Sequence, residues 1–150
     1  MVSKKAKIVI LGDERTGKTS IAKRYCLTGL TDGSKMNDYL FDWKEQITIR
    51  ATHFQRKEYL GPKEDHELTI DIWDTPGQQR YKTLNQAYLR GADGVIIVYN
   101  AADQNNENAK RIKNQVQELR DFLPEDRPIM ILGNHYDLLQ NQMNIGTFVD

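Results

Sequence analysis

A glycine-bounded segment near the N-terminus constrains the possible folds of this chain more than any other feature. Residues from Lys7 to Leu11 form a nearly continuous apolar run that Gly12 ends. Such a run is typical of a strand buried on both faces of a parallel sheet. From Lys18 to Thr28, apolar residues recur on one helical face before Gly29, which predicts a helix. The order strand, loop, helix indicates an α/β domain.

The rest of the chain alternates further predicted strands with a helix. Strands are expected from Gln46 to Arg50, Leu68 to Trp73, Gly94 to Tyr99 and Pro128 to Gly133, and a helix from Glu107 to Leu123. The first two strands alternate polar and apolar residues and flank a polar turn at Gly61, which predicts an antiparallel hairpin. The expected fold is therefore three-layered α/β, with a mostly parallel sheet and one antiparallel edge hairpin.

Composition excludes several classes of protein. The 150 residues suggest one domain, and 21 Lys and Arg balance 21 Asp and Glu, which argues against a nucleic-acid partner. The single cysteine, Cys26, excludes a disulfide framework and a cysteine metal cluster and favours a cytoplasmic location. No apolar run approaches the roughly 18 residues of a membrane span. The chain also has no lipid-accepting cysteine at its C-terminus, so we expect no direct membrane anchor.

The first chemical motif spans residues 12–19. The sequence Gly-Asp-Glu-Arg-Thr-Gly-Lys-Thr matches G-x-x-x-x-G-K-[ST] between a strand and a helix, the context this motif requires. Backbone N–H groups of such a loop cradle phosphate, the lysine reaches the β- and γ-phosphates, and the threonine hydroxyl ligates Mg²⁺. The residues expected to bind a nucleotide here are Glu14, Arg15, Thr16, Gly17, Lys18, Thr19 and Ser20. The alternative is a glycine-rich turn that binds nothing.

The second motif, Asp74-Thr75-Pro76-Gly77-Gln78, follows a strand of the predicted hairpin. An acid at this place can hold Mg²⁺ through water, which makes Asp74 a metal-ligand candidate. Gly77 offers an N–H group for a γ-phosphate, and Gln78 is placed to orient an attacking water. In isolation the sequence is an ordinary turn, and only its pairing with the phosphate loop makes it specific.

The third motif contains Asn134, His135 and Asp137 and follows the last predicted strand. Ligands of open α/β sheets bind at the carboxyl ends of the strands, and the Asp137 carboxylate can accept two N–H donors from guanine. By itself the stretch is better explained as a plain Asn/Asp turn. An ATP-binding protein is a further alternative, which competition by ATP would distinguish from guanine recognition.

With these three motifs in order, the chain resembles the Ras-like small GTPases of the P-loop NTPase fold, and among them the Rab branch. The stretches from Ile72 to Tyr81 and from Tyr88 to Tyr99 are similar to Rab switch II and the segment after it. The resemblance implies binding of GTP or GDP with Mg²⁺, catalytic roles for Lys18 and Gln78, and slow GTP hydrolysis.

The resemblance also implies partners and a place in the cell. Effectors or regulators would bind two switch loops, from Leu30 to Trp43 and from Pro76 to Leu89. The implied role is in intracellular vesicle traffic, with the protein peripheral to endomembranes through its partners.

Several residues depart from the family's pattern. Asp38 stands where the family has a switch I threonine, Glu14 and Arg15 replace small loop residues, and His135 replaces a lysine. A weakened switch is the expected consequence. The alternative function is therefore a pseudo-GTPase that acts as an interaction scaffold with little or no hydrolysis.

The chain ends at Asp150, soon after the third motif. The family's last strand and C-terminal helix are missing from it, so we expect an incomplete domain, either a fragment or a naturally short relative. That helix would cover the sheet near Ile8, Ile10 and Val98. We therefore expect a partner, a second copy of the chain or the missing residues to cover these side chains.

Overall fold

The strands of the chain assemble into one sheet in the computed structural model, which describes residues 2–27, 50–61, 66–77, 87–103 and 107–138. In chain order the elements are β1 (Val2–Leu11), α1 (Lys18–Leu27), β2 (Thr52–Leu60), β3 (His66–Asp74), β4 (Gly94–Asn100), α2 (Glu107–Arg120) and β5 (Ile129–Asn134). The strand order is β2-β3-β1-β4-β5. Only the β2–β3 pair of this sheet is antiparallel. The predicted mostly parallel sheet with one antiparallel edge pair is confirmed.

The two faces of β1 are covered by different helices. Val9 and Leu11 pack in one cluster with Leu119 of α2, whereas Ile10 points the other way and packs with Ala22 of α1. Successive strand residues alternate between faces, so an unbroken apolar run fills both cores at once. Burying each large aliphatic side chain contributes about 1.5–3 kcal/mol.

The predicted strand from Gln46 to Arg50 is wrong as the partner of β3. Residues 46–49 lie outside the described residues, Arg50 lies in a bend, and the partner strand is β2. The inward positions of β2 after Phe54 are Arg56 and Glu58, whose side chains form an ion pair at 2.6 Å. Paired charges replace the apolar residues there, so alternation in hydrophobicity does not mark the strand.

Helix α2 is shorter than predicted. It ends at Arg120 rather than Leu123, and the N–H groups of Asp121 and Phe122 bond the carbonyl groups three residues earlier. Such a tightened last turn changes the direction of the side chains. Leu123 is consequently buried in the core, while Phe122 is exposed.

The sheet side chains that are exposed differ from those expected to lack a cover. Ile10 and Val98 are each 1% exposed, because they pack under α1, and Ile8 is half-buried. The prediction that Ile10 and Val98 need a further cover is therefore wrong. Met130 on β5 is 58% exposed instead. Within the described residues, no helix is both long and apolar enough to cross a membrane.

Candidate functional site

The loop between β1 and α1 is held tightly against its neighbours. Gly12 and Gly17 adopt φ angles of 142° and 88°, which residues with a side chain rarely adopt. A Cβ atom on Gly12 would lie 2.1 Å from the Val98 carbonyl oxygen, and one on Gly17 would lie 2.2 Å from the Asn134 Nδ2 atom. Only glycine fits both positions, so the loop backbone can approach β4 and the end of β5.

Lys18 opens α1 with its ammonium group turned back into this loop. The side chain is 5% exposed, and Nζ donates to the Asp13 carbonyl oxygen at 2.6 Å. The Thr16 hydroxyl donates to the same oxygen at 2.9 Å. Loss of hydration on burial lowers the pKa of Lys18, and the carboxylates of Asp74, Asp13 and Glu14 partly offset this. The loop thus encloses a poorly hydrated cation, the group that a phosphate neutralises.

Thr19 and Asp74 bring two oxygen ligands together beside this lysine. The Thr19 hydroxyl donates to the Asp74 carboxylate at 2.5 Å, and Asp74 is fully buried at the end of β3. The neighbouring Thr75 hydroxyl donates to the Ile10 carbonyl oxygen at 2.7 Å, which fixes the turn after β3 to β1. A hydroxyl and a carboxylate are hard oxygen ligands that suit Mg²⁺, so the residues present fit that ion.

Gly77 packs directly on the loop between β1 and α1. A Cβ atom at this position would lie 2.4 Å from the backbone nitrogen of Glu14. The second motif therefore contacts the first through backbone atoms, and any larger residue would separate them. Gln78 and the predicted switch loop from Leu30 to Trp43 lie outside the described residues.

The third motif reaches the same loop from β5. The Asn134 side-chain amide donates to the Thr16 carbonyl oxygen at 2.8 Å. His135 has a φ angle of 62°, and its Nε2 atom lies 3.7 Å from the position of a Cβ on Gly17. Asp137 is exposed, two residues further along.

The structure thus gathers most of the predicted site residues at one edge of the sheet. The residues brought together are Thr16, Gly17, Lys18, Thr19, Asp74, Gly77, Asn134 and His135. Glu14, Arg15 and Asp137 are exposed, and Ser20 is half-buried in α1.

Comparison with known proteins agrees with this arrangement. A model of the Ras family matches residues 7–147. The chain belongs to the Ras family.

Individual relatives are similar over most of this Ras-family chain. The Ras-related protein Rab-21 of Mus musculus is 36% identical over 132 residues, which are 88% of this chain and 52% of the relative. Rab-21 of Dictyostelium discoideum is 36% identical over 90% of this chain and 56% of the relative. The Ras-related protein RIC1 of Oryza sativa subsp. japonica is 28% identical over 91% of this chain and 60% of the relative. The chain spans about half the length of the Rab-21 relatives it matches.

The sequence does not point to Arg111, which lies next to the loop between β1 and α1. Arg111 belongs to a charged run on α2, and its guanidinium forms an ion pair with the Asp13 carboxylate. The two residues are 98 positions apart. No spacing or periodicity in the sequence signals such a pair.

Proposed function

We propose that this Ras-family chain is a Rab-like GTP-binding protein that holds GDP or GTP together with Mg²⁺. The observation that carries the proposal is the contact between the Thr19 hydroxyl and the buried Asp74 carboxylate, beside Lys18 inside the glycine-bounded loop. The cation, the ligand pair and the backbone loop supply the three elements that a nucleotide phosphate chain and its magnesium ion need.

Each side chain has a distinct role in this proposal. Lys18 leaves the Asp13 carbonyl to bind the β- and γ-phosphates, and Thr19 ligates Mg²⁺ directly while Asp74 acts through water. The N–H of Gly77 binds the γ-phosphate. Asn134 and His135 hold the loop and the purine base, and Asp137 accepts the guanine N–H groups.

Hydrolysis of GTP to GDP and phosphate is proposed to be slow. Gln78 would orient the attacking water, while Lys18 and Mg²⁺ stabilise the charge that develops on the phosphoryl oxygens. Glu14 works against this, because its carboxylate lies close enough to Lys18 to influence that ammonium group. An anion here repels a γ-phosphate.

A pseudo-GTPase scaffold is the second candidate function. It is favoured by the Glu14 carboxylate, which acts on the Lys18 ammonium group and would repel a γ-phosphate. In either case we propose that effectors or regulators bind the loops from Leu30 to Trp43 and from Pro76 to Leu89. The protein would then act in vesicle traffic, cytoplasmic or peripheral to endomembranes through those partners.

Titration with fluorescent GDP and GTP tests nucleotide binding. We expect saturable binding of both, competed by unlabelled GDP and not by ATP, because guanine is read by Asp137. Lys113→Ala, which removes an exposed charge from α2, is the matched control for Lys18→Ala, and only the latter should lose binding. No binding at micromolar protein would refute the proposal, and equal competition by ATP would refute guanine specificity.

Single-turnover hydrolysis separates the two candidate functions. A wild-type rate above that of Gln78→Leu supports a slow GTPase, because the glutamine is then contributing to water attack. A wild-type rate no faster than that of the variant supports the scaffold.

A further inference from the structure

Asp13 is bonded through both its backbone and its side chain. Its carbonyl oxygen accepts hydrogen bonds from the Lys18 ammonium at 2.6 Å and from the Thr16 hydroxyl at 2.9 Å. Its carboxylate forms an ion pair with the Arg111 guanidinium. The carbonyl oxygen that binds Lys18 and the carboxylate that binds Arg111 thus belong to the same residue. A contact that fixes the Asp13 side chain therefore also affects the position of its carbonyl oxygen.

Arg111 approaches the loop from a different part of the fold. It lies on α2, in the layer that covers the face of the sheet opposite to α1. Both Arg111 and Asp13 line a cavity of about 310 Å³ whose apolar wall includes Leu11 and Ile97. The ion pair lies beside this cavity and ties α2 to the loop.

The negative charge around Lys18 also affects phosphate binding. The carboxylates of Asp74, Asp13 and Glu14 all act on Lys18, and a bound nucleotide adds further negative charge. Arg111 offsets the carboxylate of Asp13. Loss of the guanidinium would leave that carboxylate uncompensated beside the phosphates and would release it from a fixed position.

We propose that Arg111 is a positioning residue for nucleotide binding, acting through Asp13 to hold the phosphate loop and to neutralise it for an incoming phosphate. The inference rests on the proposed nucleotide-binding function and deepens it. Arg111 itself touches no substrate in this proposal. Its effect is modest because both side chains are about half exposed, at 51% and 54%, and solvent weakens exposed ion pairs.

The test measures the affinity of the full chain for fluorescent GDP with Mg²⁺ at low salt. Arg111→Gln should weaken binding about two- to fivefold, the range that an exposed ion pair supports. Arg111→Lys should recover at least half of the lost affinity, since it keeps the charge. Lys113→Gln, which removes an equal charge from the same helix, should bind as the wild type does.

Two further measurements separate positioning from general stability. In an Asp13→Asn background, the loss of GDP affinity caused by Arg111→Gln should fall to less than half of its value in the wild-type background. The reason is that the carboxylate on which Arg111 acts is gone. The loss should also shrink at 0.5 M salt, where charges are screened. A change in thermal stability alone would move neither of these readouts.

The outcomes that overturn the inference are distinct from those that overturn the proposed function. If the wild type binds GDP and Arg111→Gln binds it with the same affinity, the role of Arg111 is refuted while the proposed function stands. An equal loss of GDP affinity in the Asp13→Asn background would have the same meaning. An equal loss in Lys113→Gln would refute it as well. A wild-type chain that binds no GDP would refute the proposed function and this inference with it.

Discussion

At the scale of single residues, Arg15 departs from ordinary backbone geometry, as His135 does. Its φ angle is 62°, a left-handed conformation that costs an L-residue with a Cβ atom about 1–2 kcal/mol. Its side chain is exposed. The loop therefore stores strain at Arg15.

Replacing Arg15 with glycine should relieve this strain. We expect Arg15→Gly to raise the free energy of unfolding by about 0.5–1 kcal/mol, less than the full strain because glycine also gains freedom in the unfolded chain. Arg15→Ala removes the same charge but keeps the Cβ atom, so it should bring no gain. Urea denaturation of both variants checks the expectation, and equal stability of the two would contradict the backbone explanation.

Gly77 gives a second residue-scale prediction. A methyl group at this position would meet the Glu14 nitrogen at 2.4 Å, so Gly77→Ala must move the turn away from the loop. If the Gly77 N–H binds the γ-phosphate, GTP affinity should fall about tenfold, a loss of about 1.4 kcal/mol, while GDP affinity changes less. The neighbouring Pro76→Ala is the control. Equal losses for GDP and GTP would contradict the assigned contact.

At the scale of secondary-structure elements, Asp71 links three strands. It lies on β3, and its carboxylate pairs with Lys5 of β1 at 2.6 Å. It also accepts from Gln55 of β2 at 2.8 Å and contacts His53 at 3.1 Å. Burial would raise the pKa of Asp71, but the bonds to Lys5, Gln55 and His53 outweigh it and lower the pKa below its ordinary value of 3.8.

This lowered pKa makes the stability of the sheet depend on pH. The carboxylate stabilises the fold above the pKa of the unfolded chain, and this contribution is lost as the pH falls through the lower folded pKa. Asp71→Asn should therefore cost about 1–3 kcal/mol at pH 7, and the difference from wild type should shrink below about pH 4. Urea denaturation across this pH range measures it. Glu125→Gln, an exposed carboxylate, should show no such trend, and a pH-independent cost for Asp71→Asn would contradict the linkage.

The strands also show what an apolar pattern can predict. β1 and β4 contain buried apolar runs, which the sequence pattern predicts because the hydrophobic effect dominates there. β5 is also an apolar run, although its Met130 and Ile131 are exposed. β2 was missed because Arg56 and Glu58 replace apolar residues at its inward positions. The Arg56 guanidinium also lies 4.8 Å from the Tyr25 ring of α1. Such pairing leaves no periodic hydrophobic signal.

At the scale of the whole molecule, the parallel sheet explains why distant motifs meet. β1, β3 and β5 run in the same direction, so the loops after them share one edge. The sequence predicts this convergence for Lys18, Thr19, Asp74 and Asn134, because their motifs follow recognisable strands. It does not predict the pair of Arg111 and Asp13, because an exposed ion pair between a helix and a loop depends on how α2 is placed.

The magnesium dependence of GDP affinity tests the central claim most directly. Wild type should bind GDP at least about tenfold more tightly with Mg²⁺ than with EDTA, a difference of about 1.4 kcal/mol, because Thr19 and Asp74 are proposed to hold the ion against the phosphates. Thr19→Ala should bind GDP weakly and respond little to EDTA. Wild-type affinity that is the same with Mg²⁺ and with EDTA would contradict the account.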